Sequence, residues 1–236
     1  MVEIFCFAEE LYKMLNLAYP LVDKVVLNVG EGELSINVMD GMKTVGLSAK
    51  IPANVYENSQ KGHSVGLGIN RLMKILKGMR GEVNIVITGN EFKLKTQEGL
   101  TYKTQILDPK TIYNTFKLPK LDFAVKIKTT GKIIKDGIKY GRSISDRVYF
   151  QSDKSGEVKL VVKGDVAELI YTINGDIEEF EQNQTVIVGM EHLEQIIEPI
   201  SNTDSILLAF KTDSPVMLGL TGSVKAAYFI APVIPD

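Results

Sequence analysis

The sequence predicts an α+β protein made of two similar halves, and three observations carry that prediction. Short β-rich runs come in pairs around turn residues, stripes of helical period are few, and the same order of pieces recurs at a nearly constant offset. The pairs are legible as antiparallel hairpins. Lys24–Val29 and Glu33–Met39 flank Gly30-Glu31-Gly32, Val83–Thr88 and Glu91–Thr96 flank Gly89-Asn90, and Arg147–Gln151 and Glu157–Val162 flank a turn from Ser152 to Gly156. Gly, Asn and Asp tolerate the backbone angles that tight bends require.

Four helical stripes stand against these strands. Leu11, Met14, Leu15 and Ala18 repeat at i, i+3, i+4 and i+7, as do Leu72, Ile75, Leu76 and Met79. Ile134 with Ile138 makes a shorter stripe, and Leu193, Ile196, Ile197 and Ile200 make the last. So few helices among so many hairpins predict helices packed on one face of antiparallel sheets. Laying Ser64–Leu76 on Thr185–Ile197, a shift of 121 positions, superposes the apolar strand residues and the apolar helix positions. Laying Asp23–Leu27 on Asp146–Phe150, a shift of 123, also brings Leu11 and Leu15 onto Ile134 and Ile138. The chain is read as a tandem duplication of a strand–helix–hairpin–strand–helix–hairpin unit. Its domains are 1–106 and 122–236, joined by a connector over 107–121. Pro109 and Pro119 make that connector extended, because proline lacks a backbone donor and biases its neighbour away from helix. Its Ile112, Tyr113, Phe116 and Leu118 either pack onto the body or line a surface that a partner covers.

Composition excludes several classes of function. The 236 residues carry Lys+Arg 27 against Asp+Glu 29, a net charge of −2, so binding nucleic acid by bulk positive charge is excluded while a locally basic face is not. A single cysteine, Cys6, makes neither an internal disulfide nor a thiolate zinc cluster, and a reducing compartment is expected. Its alternation with Phe5 and Phe7 reads as a buried strand residue. His63 and His192 are too few and too isolated for a metal set; His63 reads as a solvated loop residue and His192 as the polar side of a helix. The cluster Gly62, Gly66 and Gly68 lacks the Gly-Lys-Ser/Thr of a phosphate loop and reads as a loop entering a strand. No apolar run is long enough to cross a membrane, and the N-terminus lacks a basic signal region. A non-enzymatic protein without cofactor or metal is expected.

Charge is uneven along the helices. Arg71, Lys74 and Lys77, followed by Arg80, lie opposite the second stripe, and Lys132, Lys135 and Lys139, followed by Arg142, opposite the third. Such rows create a positive field that a phosphate backbone would feel, although an ordinary solvated face has the same pattern. The fourth stripe is flanked by Glu191, Glu194 and Glu198 instead. No aromatic residues interleave with the cations, so any DNA contact would be to the duplex and without sequence readout.

Four motifs occur in order: Val38-Met-Asp-Gly-Met-Lys-Thr44, Gly66-Leu-Gly-Ile-Asn-Arg-Leu-Met-Lys-Ile-Leu-Lys77, the connector from Ile106-Leu-Asp108 to Leu118-Pro-Lys-Leu121, and Phe229-Ile-Ala-Pro232. Together they make the whole chain resemble the proliferating cell nuclear antigen (PCNA) family of DNA sliding clamps, of archaeal type. The resemblance implies a non-enzymatic processivity factor. Three chains close head to tail into a ring around double-stranded DNA, as a homotrimer or as a ring of different chains. It also implies a platform for DNA polymerase, flap endonuclease, DNA ligase and the clamp loader. By position, Lys13, Arg71, Lys74, Lys77, Lys135 and Lys139 would face DNA. Met39, Lys43, Thr44, Tyr113, Leu118, Pro119, Pro215, Phe229, Ile230, Ala231 and Pro232 would receive partner peptides. Edge strands near Gly99–Leu107 and Val166–Thr172 would join subunits, with Tyr102, Thr104 and Ile106 meeting Leu169 and Tyr171 of a neighbouring copy. A cytoplasmic, nucleoid-associated location follows if the protein is archaeal, a nuclear one if it is eukaryotic. The acidic fourth helix and the ending Val-Ile-Pro235-Asp depart from the family pattern. The acidic helix keeps open a second reading, a peptide-binding scaffold with weak or no DNA binding.

Overall fold

The computed structural model describes residues 1–57, 63–118 and 120–234. Gly62, Pro119 and Pro235, each singled out above, lie outside them. The chain separates into two units, Met1–Leu118 with Ser223–Ala226, and Pro119–Gly222 with Ala227–Asp236.

In the first unit the order is β1 (Val2–Phe7), α1 (Ala8–Ala18), β2 (Lys24–Gly30), β3 (Glu33–Met39), β4 (Val45–Pro52), β5 (Asn54–Glu57), β6 (His63–Gly68), α2 (Ile69–Leu76), β7 (Glu82–Thr88), β8 (Glu91–Thr96) and β9 (Thr101–Gln105). The second repeats it: β10 (Val125–Thr130), α3 (Gly131–Gly141), β11 (Arg147–Ser152), β12 (Val158–Lys163), β13 (Glu168–Thr172), β14 (Asp176–Glu179), β15 (Thr185–Gly189), α4 (Met190–Ile197), β16 (Ser205–Phe210), β17 (Val216–Leu220) and β18 (Lys225–Ile230). The strands of the first unit run β5-β1-β7-β8-β9 and β4-β3-β2-β6; those of the second run β14-β10-β16-β17-β18 and β13-β12-β11-β15. The α+β class is thus observed, and each unit has more strands than the hairpin reading supplies.

Alternation decides which faces are buried. In β1, Val2, Ile4 and Cys6 point into the core and Glu3, Phe5 and Phe7 away from it, the period-2 pattern of a half-buried strand. Cys6 is 4% exposed, and burial, reinforced by Glu10 and Glu82, pushes its thiol up to about 12. The four stripes become α1 to α4, burying Leu11, Met14 and Leu15, then Leu72, Met73 and Leu76, then Ile134 and Ile138, then Leu193, Ile196 and Ile197. The helices pack as α1 with α2 and α3 with α4. His63 differs from expectation. It opens β6 and pairs with Val29, because the strand starts before the glycines rather than after them. His192 is half-buried on α4, with its ring against Gly189.

Each helix follows directly from a strand with no side-chain cap, so its first amide must find a backbone acceptor. Those acceptors are equivalent in the two units. Ala8 donates to the Gly81 carbonyl at 2.9 Å and Gly131 to that of Asp204 at 2.9 Å; Ile69 donates to Asp23 at 3.0 Å and Met190 to Asp146 at 2.8 Å. The duplication therefore reaches individual hydrogen bonds.

Helix α3 lies unusually close to its sheet. A Cβ on Gly141 would fall 2.5 Å from Val162 Cγ2, and one on Gly137 3.0 Å from Leu160 Cδ1. Alanine normally favours a helix by about 1 kcal/mol over glycine. Here overpacking reverses the sign, and Gly141→Ala is expected to lower unfolding free energy by about 1–3 kcal/mol in a urea titration. Gly222→Ala, where nothing lies within 4 Å, is expected to stay within about 0.5 kcal/mol of the parent.

Candidate functional site

Three groups of residues matter, and each is described within its own unit. The first is the helix faces opposite the buried stripes. Arg71, Lys74 and Lys77 are all exposed at α2 and just beyond it, three residues apart, while Lys13 on α1 is half-buried. On the second unit Lys139 is exposed and Lys135 half-buried. Lys135 Nζ donates to the Glu198 carbonyl at 3.3 Å, where a cation complements the negative end of α4. Lys132 is tied to Asp136 at 2.5 Å on the same helix.

The second group is the loop after β3 and the connector that lies on it. Asp40 organises the loop. Its carboxylate accepts from the Thr44 and Val45 amides and the Thr44 hydroxyl, each at 2.8 Å, and its own amide donates to the Val45 carbonyl at 2.9 Å. Lys43 takes a φ of 61° to close the turn, and Met42 is left 78% exposed. The connector is seated by three attachments. Leu107 and Gly66 exchange backbone hydrogen bonds, Met39 donates to the Asn114 carbonyl at 2.7 Å, and Phe116 lies over Gly46. Both glycines are sockets. A Cβ on Gly66 would sit 2.7 Å from the Leu107 oxygen, and one on Gly46 2.8 Å from Phe116 Cζ. With Ile112 buried, Tyr113 is turned outward at 89% exposure and Leu118 at 55%. Ile112 and Phe116 thus pack onto the body, while Tyr113 and Leu118 stay exposed.

Of the predicted peptide-receiving residues, Met39, Lys43, Thr44, Tyr113 and Leu118 fall in the first unit, and Met39 and Tyr113 are brought together by the Met39–Asn114 bond. Pro215, Phe229, Ala231 and Pro232 are half-buried in the second unit, and Ile230 is fully buried there, a support rather than a contact surface. Val233 donates to the Ile187 carbonyl at 2.8 Å, so the tail after β18 lies along β15 as Leu107 lies along β6. Asp40, Gly46, Gly66 and Phe116 were not predicted as site residues. Only Asp40 had a local signal, a turn aspartate with a threonine four residues on.

The third group is two sheet edges. β9 ends the five-stranded sheet and β13 ends β13-β12-β11-β15. Tyr102 and Thr104 are half-buried on β9, and Leu169 and Tyr171 on β13. Ile106 lies just past β9, its amide bonded back to the Asn90 carbonyl. A cleft of about 300 Å³ beside β9 is lined by Asp23, Arg71, Tyr102 and Thr104 among others. On β13 Ile170 is 58% exposed, and Tyr140, 54% exposed, stands 6.2 Å from Tyr171 ring to ring. Among the described residues, no group of three or more His, Cys, Asp or Glu is placed to hold a metal ion, and no helix is long and apolar enough to cross a membrane.

The Asp40 loop has a pH signature. Burial alone would push the Asp40 carboxyl up, but the hydrogen bonds from Val45, Thr44 and Met42 outweigh it and hold the group below its ordinary value of 3.8. A depressed carboxyl contributes stability above its unfolded value and loses it as pH falls through the folded one. Asp40→Asn is therefore expected to cost about 1–3 kcal/mol at neutral pH. The gap to the parent should narrow below pH 3.8, as read by chemical denaturation at a series of pH values.

No protein-family model matches the chain. Its likeness to individual proteins is nonetheless end to end. It is 24% identical to the DNA polymerase sliding clamp 1 of Thermococcus kodakarensis over 99% of this chain and 98% of that one, and 21% identical to the DNA polymerase sliding clamp of Pyrococcus furiosus with the same coverage. Among solved structures, PCNA of A. fulgidus, bound to the C-terminal region of FEN-1, superposes with a TM-score of 0.88 at 24% identity over the whole of both chains. A chain of the PCNA2–PCNA3 complex of Sulfolobus tokodaii does so at 0.78 and 18%, over 98% of each. The chain is thus similar from end to end to archaeal DNA polymerase sliding clamps, and it shares the fold of archaeal PCNA.

Proposed function

We propose that the chain is a DNA polymerase sliding clamp, a non-enzymatic ring subunit that encircles duplex DNA and tethers replication and repair enzymes. The observation that carries this reading is the end-to-end likeness to DNA polymerase sliding clamps, with both units intact. In this reading 1–106 and 122–236 are the clamp domains and 107–121 is the connector between them. β9 of one copy pairs with β13 of the next through Tyr102, Thr104, Leu169 and Tyr171. Such a heterologous contact closes into a ring and satisfies two backbone edges at once. Lys13, Arg71, Lys74, Lys77, Lys135 and Lys139 supply weak phosphate contacts inside it, because topology rather than affinity retains the DNA. Polymerase, flap endonuclease, ligase and clamp loader dock by peptides, with Met39, Lys43, Thr44, Tyr113 and Leu118 the receiving residues of the first unit and Phe229 among those of the second. The location is the cytoplasm, at the nucleoid.

Three copies are the simplest assembly, with a ring of different chains as the alternative, since a complex of two distinct chains exists among the structural relatives. Light scattering on the purified chain distinguishes them. A mass of three subunits supports a homotrimer, and a monomer that trimerises only with sister chains supports the alternative. The second functional reading, a peptide scaffold without DNA binding, is favoured by the acidic side chains Glu191, Glu194 and Glu198 at α4. Stimulation of a polymerase on primed circular DNA, lost on linear template, is expected of the clamp and not of the scaffold.

Lys74→Glu with Lys77→Glu is expected to reduce retention on circular DNA while partner-peptide affinity is unchanged. Phe229→Ala and Leu118→Ala are expected to weaken peptide binding by about tenfold or more in calorimetry, with the ring mass preserved. Parent-like affinity in both would place the docking surface elsewhere.

A further inference from the structure

The duplication aligns the two helix pairs, and their charges do not follow it. Where α2 and the residue after it present Asn70, Arg71, Lys74 and Lys77, all exposed, the second unit presents Glu191, His192, Gln195 and Glu198 at the same shift of 121 positions, from Arg71 to His192. Glu191, Gln195 and Glu198 are exposed, and His192 is half-buried. The first helices differ in the opposite sense. α1 has Glu9, Tyr12, Lys13 and Asn16 where α3 has Lys132, Lys135, Asp136 and Lys139, a shift of 123 from Glu9 to Lys132. Glu9 is occupied by the Gly81 amide at 3.1 Å, so it belongs to the helix junction. Cationic rows therefore sit on the second helix of one unit and the first helix of the other. Each unit pairs one basic helix with one that is neutral or acidic.

We propose that the duplex is contacted mainly through α2 and α3, with Lys13 the single cation that α1 adds, and that α4 is a repulsive sector that keeps phosphates away. The inference rests on the DNA-encircling reading above and specifies which part of that surface performs it. Like charges a few ångströms from a phosphate raise the local free energy, and each contact not made leaves its condensed counterions in place. A ring of such chains has fewer phosphate contacts than its helix count permits. Its hold on DNA is correspondingly less dependent on salt. Lys135 is also partly withdrawn, since it serves the C-terminal end of α4.

The test uses the full-length chain in three forms: the parent, the α2 variant Lys74→Glu with Lys77→Glu, and the α4 variant Glu191→Lys with Gln195→Lys and Glu198→Lys. Affinity for a labelled linear duplex is measured across a fourfold range of salt, with partner-peptide binding and subunit mass as controls for folding. Each phosphate contact adds about 0.9 to the salt slope, about 3.5-fold in affinity over that range. The α4 variant is expected to bind more tightly than the parent and with a steeper slope by about 1–3 per chain. The α2 variant is expected to bind more weakly with a shallower slope. A parent-like α4 variant beside a weakened α2 variant would overturn the repulsive sector and leave the DNA reading intact. If neither variant changed duplex binding, electrostatic contact through these helices would fall and the sector with it, while the circular-template assay above would still decide the DNA reading.

Discussion

An unpaired strand edge is the constraint on which the rest of this structure depends. Backbone amides and carbonyls that face neither a strand nor water are costly, and exposed edges invite uncontrolled pairing. Five of the edge strands are dealt with in three ways. β6 and β15 are covered by segments leaving the preceding sheet, through Leu107 and Val233. β14 is guarded by Asp176, Glu178 and Glu179, all exposed. β9 and β13 receive neither protection and carry half-buried tyrosines instead. Each unit thus leaves one of these edges unpaired among the described residues.

Duplication supplies the economy of this arrangement. One solution to a local problem, starting a helix directly from a strand without a side-chain cap, is used twice through equivalent carbonyls. Burial fixes the inner side chains of both copies, while the outer faces are under no such restraint. That is why α4 keeps apolar residues where α2 has Ile69, Leu72, Ile75 and Leu76, although Glu194 replaces Met73, while its solvent face has histidine, glutamine and glutamate where α2 and the residue after it have arginine and lysine.

Much of this was legible in the sequence because it is local. Leu11, Met14, Leu15 and Ala18 have a period, Gly89-Asn90 is a turn, and the two shifts recur. Strands without alternation were not legible. β9 is mostly polar, and β14 is exposed throughout. In each the period-2 signal that marks a half-buried strand is missing. Positive rows at steps of three were visible, and so was the connector's apolar content. The sockets were not, because Gly46 meets Phe116 and Gly66 meets Leu107 only once the chain has folded.

Those sockets separate two properties that otherwise share one polypeptide. Neither glycine contributes to the two open edges or to the basic rows. Yet each has its Cβ position already filled by the connector, at 2.8 Å in one case and 2.7 Å in the other. A methyl group at Gly66 would press on the connector's backbone at Leu107, whereas one at Gly46 would displace the Phe116 ring. One codon change can therefore disturb how the connector is seated while the strands beneath it keep their partners.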